Sequence, residues 1–146
     1  MNNQFSQKVS EVLAYSKEEA DRLMTNYIGP GHLLLGILRE GTGKAVEALR
    51  KLDANLAQIK AQVESLVKGT EISYQRTMAN GEMPLSEDAS RVLKISILEA
   101  RLLKSPVADT EHILLAILKN DDSVASVVLE DNNITYEAVF ELLTKK

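Results

Sequence analysis

Between Ser6 and Leu23 the apolar residues Val9, Val12, Leu13, Ala20 and Leu23 recur at helical spacing, and Ser6 supplies a hydroxyl to cap the first turn. The pattern predicts an amphipathic helix with one face on a core. Residues 31–39 are apolar almost all round, which predicts a second helix buried centrally. A third covers Lys44 to Lys51. A fourth starts after Asn55, where Asn55 and Gln58 can form a capping box, and is expected to bury Leu56, Ile59, Val63 and Leu66.

The same order then returns. Ser86 to Leu103, residues 111–119, Val124 to Glu130 and a segment after Thr135 carrying Tyr136, Val139 and Leu143 repeat the four patterns at a constant offset of eighty. Laid without a gap, residues 5–66 and 85–146 share 15 identities in 62 positions, among them Ser6/Ser86, His32/His112, Leu34/Leu114 and Leu35/Leu115. Most other core positions exchange one apolar residue for another. The chain is a duplication, and the expected fold is all-α: two tandem four-helix repeats, eight helices, related by a pseudo-two-fold axis. Leu34, Leu35, Leu38, Leu114, Leu115 and Leu118 should be among the most buried residues. Residues 1–146 are read as one domain, with repeat one at 5–66 and repeat two at 85–146. Between them "GTEISYQRTMANGEMP", residues 69–84, has no sustained period and is long for a connection inside a compact unit. It reads as a mobile linker or a functional loop, the favoured reading being a loop draped over the repeat interface, with Ile72, Tyr74 and Met78 either anchoring it or awaiting a partner.

Composition narrows the chemistry. There is no cysteine, which excludes disulfides and thiolate metal sites. The net charge of −4, the interleaving of both signs and an aromatic content of 4% without Trp argue against a nucleic-acid partner. The N-terminal "MNNQFSQK" lacks the build of a signal peptide, and no apolar run is long enough to span a bilayer, so no membrane partner and a cytoplasmic location are expected. The glycine-rich stretch "GPGHLLLGILREGTGKA" invites a phosphate-loop reading, but Leu38 stands where the first glycine is needed and Ala45 where the hydroxyl is needed. Its copy, "DTEHILLAILKNDDSVA", has no glycine at all. The shared content is a histidine followed by an apolar run. As ligands or bases His32 and His112 would need carboxylate or thiolate partners that the local sequence does not offer, so both are read as structural, with no metal, cofactor or catalytic residue expected.

A duplicated four-helix unit, each copy opening on a hydroxyl-capped helix and carrying "TEHILLAIL" (110–118) or "GHLLLGILREGTG" (31–43), resembles the Clp N-terminal domain, and most of all its ClpC branch. The resemblance covers essentially the whole chain. It implies a non-catalytic docking module that receives adaptor proteins and marked substrates for an ATP-driven AAA+ unfoldase, with ATPase modules in the same chain or complex and the Clp peptidase as an indirect partner. A free-standing accessory subunit of a Clp protease complex is the alternative. The resemblance further implies recognition of arginine-phosphorylated substrates, through a Glu at the start of the second helix for the guanidinium and a hydroxyl plus a basic residue at the start of the first helix for the phosphate. The chain departs from that pattern in both halves. Repeat one keeps Ser6 and Lys8 but has Gly31 in place of the Glu; repeat two keeps Ser86 and Glu111 but sets Glu87 and Asp88 beside the phosphate position. Read repeat by repeat, each half holds half of a pocket. The whole excess negative charge falls in residues 85–146, which suits a basic docking partner.

Overall fold

The computed structural model describes residues 4–67, 84–120 and 123–144. Apart from Pro84, the segment 69–84 therefore lies outside the described residues. Among the described residues the chain forms eight helices: α1 (Gln7–Arg22), α2 (Pro30–Glu40), α3 (Lys44–Lys51), α4 (Leu56–Val67), α5 (Glu87–Leu102), α6 (Thr110–Lys119), α7 (Val124–Asp131) and α8 (Tyr136–Thr144). No helix among them is long and apolar enough to cross a membrane.

The two halves repeat each other down to backbone exceptions. Positive φ angles at non-glycine residues occur at Met24 and Asp53 and again, eighty residues on, at Lys104 and Asn133. The segments leading into the helices exchange short parallel bridges across the repeats. Ser6 N–H donates to Ala108 O at 2.9 Å and Ala108 N–H to Gln4 O at 2.6 Å; the mirror pair is Ser86 N–H to Ile28 O at 2.9 Å and Ile28 N–H to Pro84 O at 2.9 Å. Each repeat thus clamps the start of the other's first helix, the reciprocity that a pseudo-two-fold axis requires.

α2 and α6 are the centre. Leu33, Leu34, Leu35, Ile37, Ile113, Leu114, Leu115 and Ile117 are all fully buried, and α1 and α5 lay Val9, Val12, Ala89 and Val92 on them. Three expectations need correction. Leu118 is buried but Leu38, its counterpart, is only half-buried. On α8 the ring of Tyr136 packs against the core, and its counterpart on α4 is the shorter Leu56. Leu66 is exposed rather than buried. α4 lays its stripe on the core at four-residue steps, Ile59, Val63 and Val67, and Leu66 falls to one side of it near the helix end. The Asn55 cap is half of the expected box. Gln58 N–H donates to Asn55 Oδ1 at 3.0 Å, whereas the Gln58 amide reaches across to Asn132 Oδ1 at 2.9 Å.

Candidate functional site

The bridge between residue 5 and residue 108 brings the N-termini of α1 and α6 together. Ser6 caps α1 by accepting from Val9 N–H at 3.2 Å, and its hydroxyl donates to Asp109 Oδ1 at 2.8 Å, across the repeats. Asp109 in turn caps α6, accepting from Thr110 N–H at 2.8 Å. The start of α3 closes the third side: Ala45 N–H donates to Thr110 Oγ1 at 3.2 Å. Gly43 permits that approach, because a Cβ there would lie 2.4 Å from Thr110 Oγ1. Three helix N-termini therefore meet at one junction, and Lys8, Lys44, Glu47, Asp109 and Glu111 stand around it.

Glu111 is the unusual member. Its side chain is buried, its Oε1 has no hydrogen-bond partner, and its Oε2 is no nearer than 4.0 Å to His112 Nε2. Burial pushes its carboxyl above the ordinary range; a backbone hydrogen bond acts the other way, Asp109 and Glu47 add to the rise, and Lys44 opposes it. The lysines are the junction's positive side. Lys8 also faces Glu40: burial raises that carboxyl, but bonds from the Thr42 side chain and the Thr42 and Gly43 N–H groups, with the charge of Lys8, hold it below its usual range.

His112 and His32 lie just behind the helix starts. Each is the third residue of its helix, and its Nδ1 accepts from the N–H of the capping residue at 2.9 Å, Asp109 in one case and Gly29 in the other. Nδ1 as acceptor fixes the neutral tautomer with the proton on Nε2, which in His32 faces Thr25 Oγ1 at 3.2 Å. Burial holds His32 down to about 4 against the weaker upward pull of Glu19, and burial lowers His112 as well. Among the described residues no cluster of side chains could hold a metal ion.

The family model of the Clp repeat (R) N-terminal domain matches residues 4–132. The chain belongs to the Clp N-terminal domain family. Its sequence is 37% identical over 136 residues to the negative regulator of genetic competence ClpC/MecB of Bacillus subtilis (strain 168), covering 92% of this chain and 16% of that protein. It is 35% identical over 131 residues to the ATP-dependent Clp protease ATP-binding subunit ClpA homolog of Cyanidium caldarium, covering 90% and 15%. The chain thus spans about 15% of the length of these curated relatives. The N-terminal domain of the Clp-associated chaperone ClpD of Arabidopsis thaliana has the same fold, with a TM-score of 0.72, 19% identity and coverage of 96% and 92%.

In this Clp N-terminal domain the second junction is a poor copy of the first. Ser86 caps α5, accepting from Ala89 N–H at 3.0 Å, and lies with Asp88, Gly31 and Val67 around a cavity of about 260 Å³. Lys8, Lys44, Glu47, Asp109 and Glu111 correspond here to Asp88, Val124, Val127, Gly29 and Gly31. Only Asp88 is ionisable, and it is paired with Arg91 at 2.7 Å. Gly31 is also roofed over: a Cβ would lie 2.7 Å from Val67 Cγ1, and Val67 has no counterpart among the described residues of α8. The candidate residues are therefore sorted across the repeats, with Ser6 and Lys8 beside Glu111, and Ser86 beside Gly31. Grouping them within each repeat paired each first helix with the wrong second helix. Nothing in the sequence pattern points to Lys44 or Thr110, whereas Asp109 in "DTEH" carries a readable N-cap signal.

Proposed function

We propose that this domain is the adaptor- and substrate-docking N-terminal domain of a ClpC-type ATP-dependent unfoldase serving the Clp peptidase in the cytoplasm, and that the Ser6–Glu111 junction recognises phosphoarginine. The observation that carries the reading is the buried Glu111 carboxyl, its Oε1 without a hydrogen-bond partner and Lys44 acting on it, where three helix N-termini meet. A buried carboxylate oxygen left without a partner is costly and calls for a cationic donor. The lysines and the helix N-termini call for an anion. A phosphorylated guanidinium brings both on one side chain: its guanidinium edge suits Glu111 and Asp109, and its phosphoryl oxygens suit Lys8, Lys44 and the Ser6 hydroxyl.

Calorimetric titration with a phosphoarginine peptide, against the same peptide carrying arginine, tests this reading. Saturable binding of the phosphorylated form at one site per chain supports it. Equal heats for the two peptides, or two equivalent sites, would remove it.

A further inference from the structure

Repeat two fills the groove between α6 and α8 with a ring of its own. Tyr136, in the first turn of α8, donates its hydroxyl to Glu99 Oε1 at 2.6 Å and stacks on Phe140, the ring centroids 5.6 Å apart. Lys119 sits over the ring, its Nζ 5.3 Å from the centroid, and pairs with Glu99 Oε2 at 2.8 Å. Burial, together with the bond to Glu99, pushes the phenol far above its ordinary range.

Repeat one keeps the receptor and changes the occupant. The carboxylate is Glu19, buried like Glu99, and the cation is Arg39. In place of Tyr136 and Phe140 stand Leu56 and Lys60. The result is a cavity of about 200 Å³ walled by Leu35, Leu38, Leu56 and Ala57, with Arg39 and Lys60 at its rim and Glu19 lining it. The half-exposure of Leu38, against the burial of Leu118, is the same fact seen from the apolar side. The volume suits a single ring, since an apolar cavity of about 150 Å³ takes up benzene. Glu19 retains acceptor capacity: Arg22 gives two N–H bonds to Oε1 and Arg39 one to Oε2 at 3.1 Å, and a carboxylate offers about four acceptor directions.

We infer that this cavity receives a tyrosine side chain from an incoming protein segment, its ring on Leu35, Leu38 and Leu56 and its hydroxyl on Glu19, as repeat two seats Tyr136 on Glu99. A polypeptide source fits the lining, where Lys60 adds a positive charge beside Arg39, itself paired with Glu18 and Glu19, and so suits an acidic flank of an incoming segment. The cavity shares no residue with the Ser6–Glu111 junction, so it stands or falls separately from phosphoarginine recognition.

The test uses the whole chain with leucine methyls isotopically labelled and a capped Gly-Gly-Tyr-Gly-Gly peptide as probe. Saturable shifts of the Leu35, Leu38 and Leu56 methyls are expected, with cross-relaxation from the peptide ring to Leu38. The phenylalanine analogue should bind about three- to tenfold more weakly for want of the hydroxyl. Leu56→Tyr should abolish binding, because the chain's own ring then fills the cavity as Tyr136 does in the copy. Absence of shifts at millimolar peptide, equal affinity of the phenylalanine peptide, or a folded Leu56→Tyr protein that binds like wild type would overturn the inference. If Leu56→Tyr does not fold, the ring-to-Leu38 contact in the wild type decides alone.

Discussion

Replacing Glu111 by Gln separates stability from recognition. The wild-type carboxylate is buried with Oε1 unpartnered, and a buried polar group left unpaired costs about 1–3 kcal/mol, more when charged. Gln keeps the shape and removes the charge, so Glu111→Gln should stabilise the fold at pH 7 by about 1 kcal/mol. The pH dependence has a definite sign. A carboxyl whose folded pKa is raised above its ordinary value favours the native state in acid and loses that advantage as pH rises through the raised value. The stability gap between variant and wild type should therefore close in mild acid and open towards neutrality. Affinity for a phosphoarginine peptide should move the other way, falling by about 2–5 kcal/mol as expected when one partner of a buried charge pair is removed. Urea denaturation of both proteins at pH 7 and in mild acid, with a peptide titration alongside, makes the comparison. A Glu111→Gln protein that is less stable at pH 7 would mean that Lys44 already satisfies the carboxylate and that the junction is a structural ion pair.

Gly31→Glu should not create a second binding site, because its Cβ runs into Val67 and its neighbours are Ser86 and Asp88 rather than Ser6 and Lys8; a destabilisation of about 1–3 kcal/mol by denaturant midpoint, with unchanged ligand stoichiometry, is expected. Burial of neutral His32 holds its pKa down to about 4 from 6.5, so its contribution to stability is complete above pH 6.5 and is lost as pH falls towards 4, by about 3 kcal/mol; His32→Asn should flatten the stability–pH curve over that window. Leu114→Ala, at a fully buried centre of α6, should cost about 2–5 kcal/mol by the same measurement.

The eight helices were legible because each strip of apolar residues is local and is written twice: Val9 and Val12 against Ala89 and Val92, Leu34 and Leu35 against Leu114 and Leu115. Burial of Leu34 and Leu114 followed from helices apolar on every side. The candidate residues Ser6, Lys8, Gly31, Ser86 and Glu111 can be named from the sequence, but which of them the fold brings together cannot. Helical periodicity says which face of α1 is buried and nothing about which chain segment runs beside its N-terminus. That partner is set by a few backbone hydrogen bonds between residues 4–6 and 108, which leave no side-chain pattern to read. Leu38 and Leu66 failed for a related reason, since their exposure depends on what the neighbouring helix brings: Leu56 where the copy has Tyr136, and a stripe that ends on Val67.

Binding at the Ser6–Glu111 junction of this Clp N-terminal domain, and not at its pseudo-symmetric copy, is what phosphoarginine recognition by this chain requires. Backbone amide shifts of the labelled chain during titration with a phosphoarginine peptide test it residue by residue. Saturable shifts are expected at Ser6, Gly43, Lys44, Thr110 and Glu111, with Gly29, Gly31, Ser86 and Asp88 unmoved. Shifts of equal size and affinity around Gly31 and Ser86, or shifts confined to them, would contradict it.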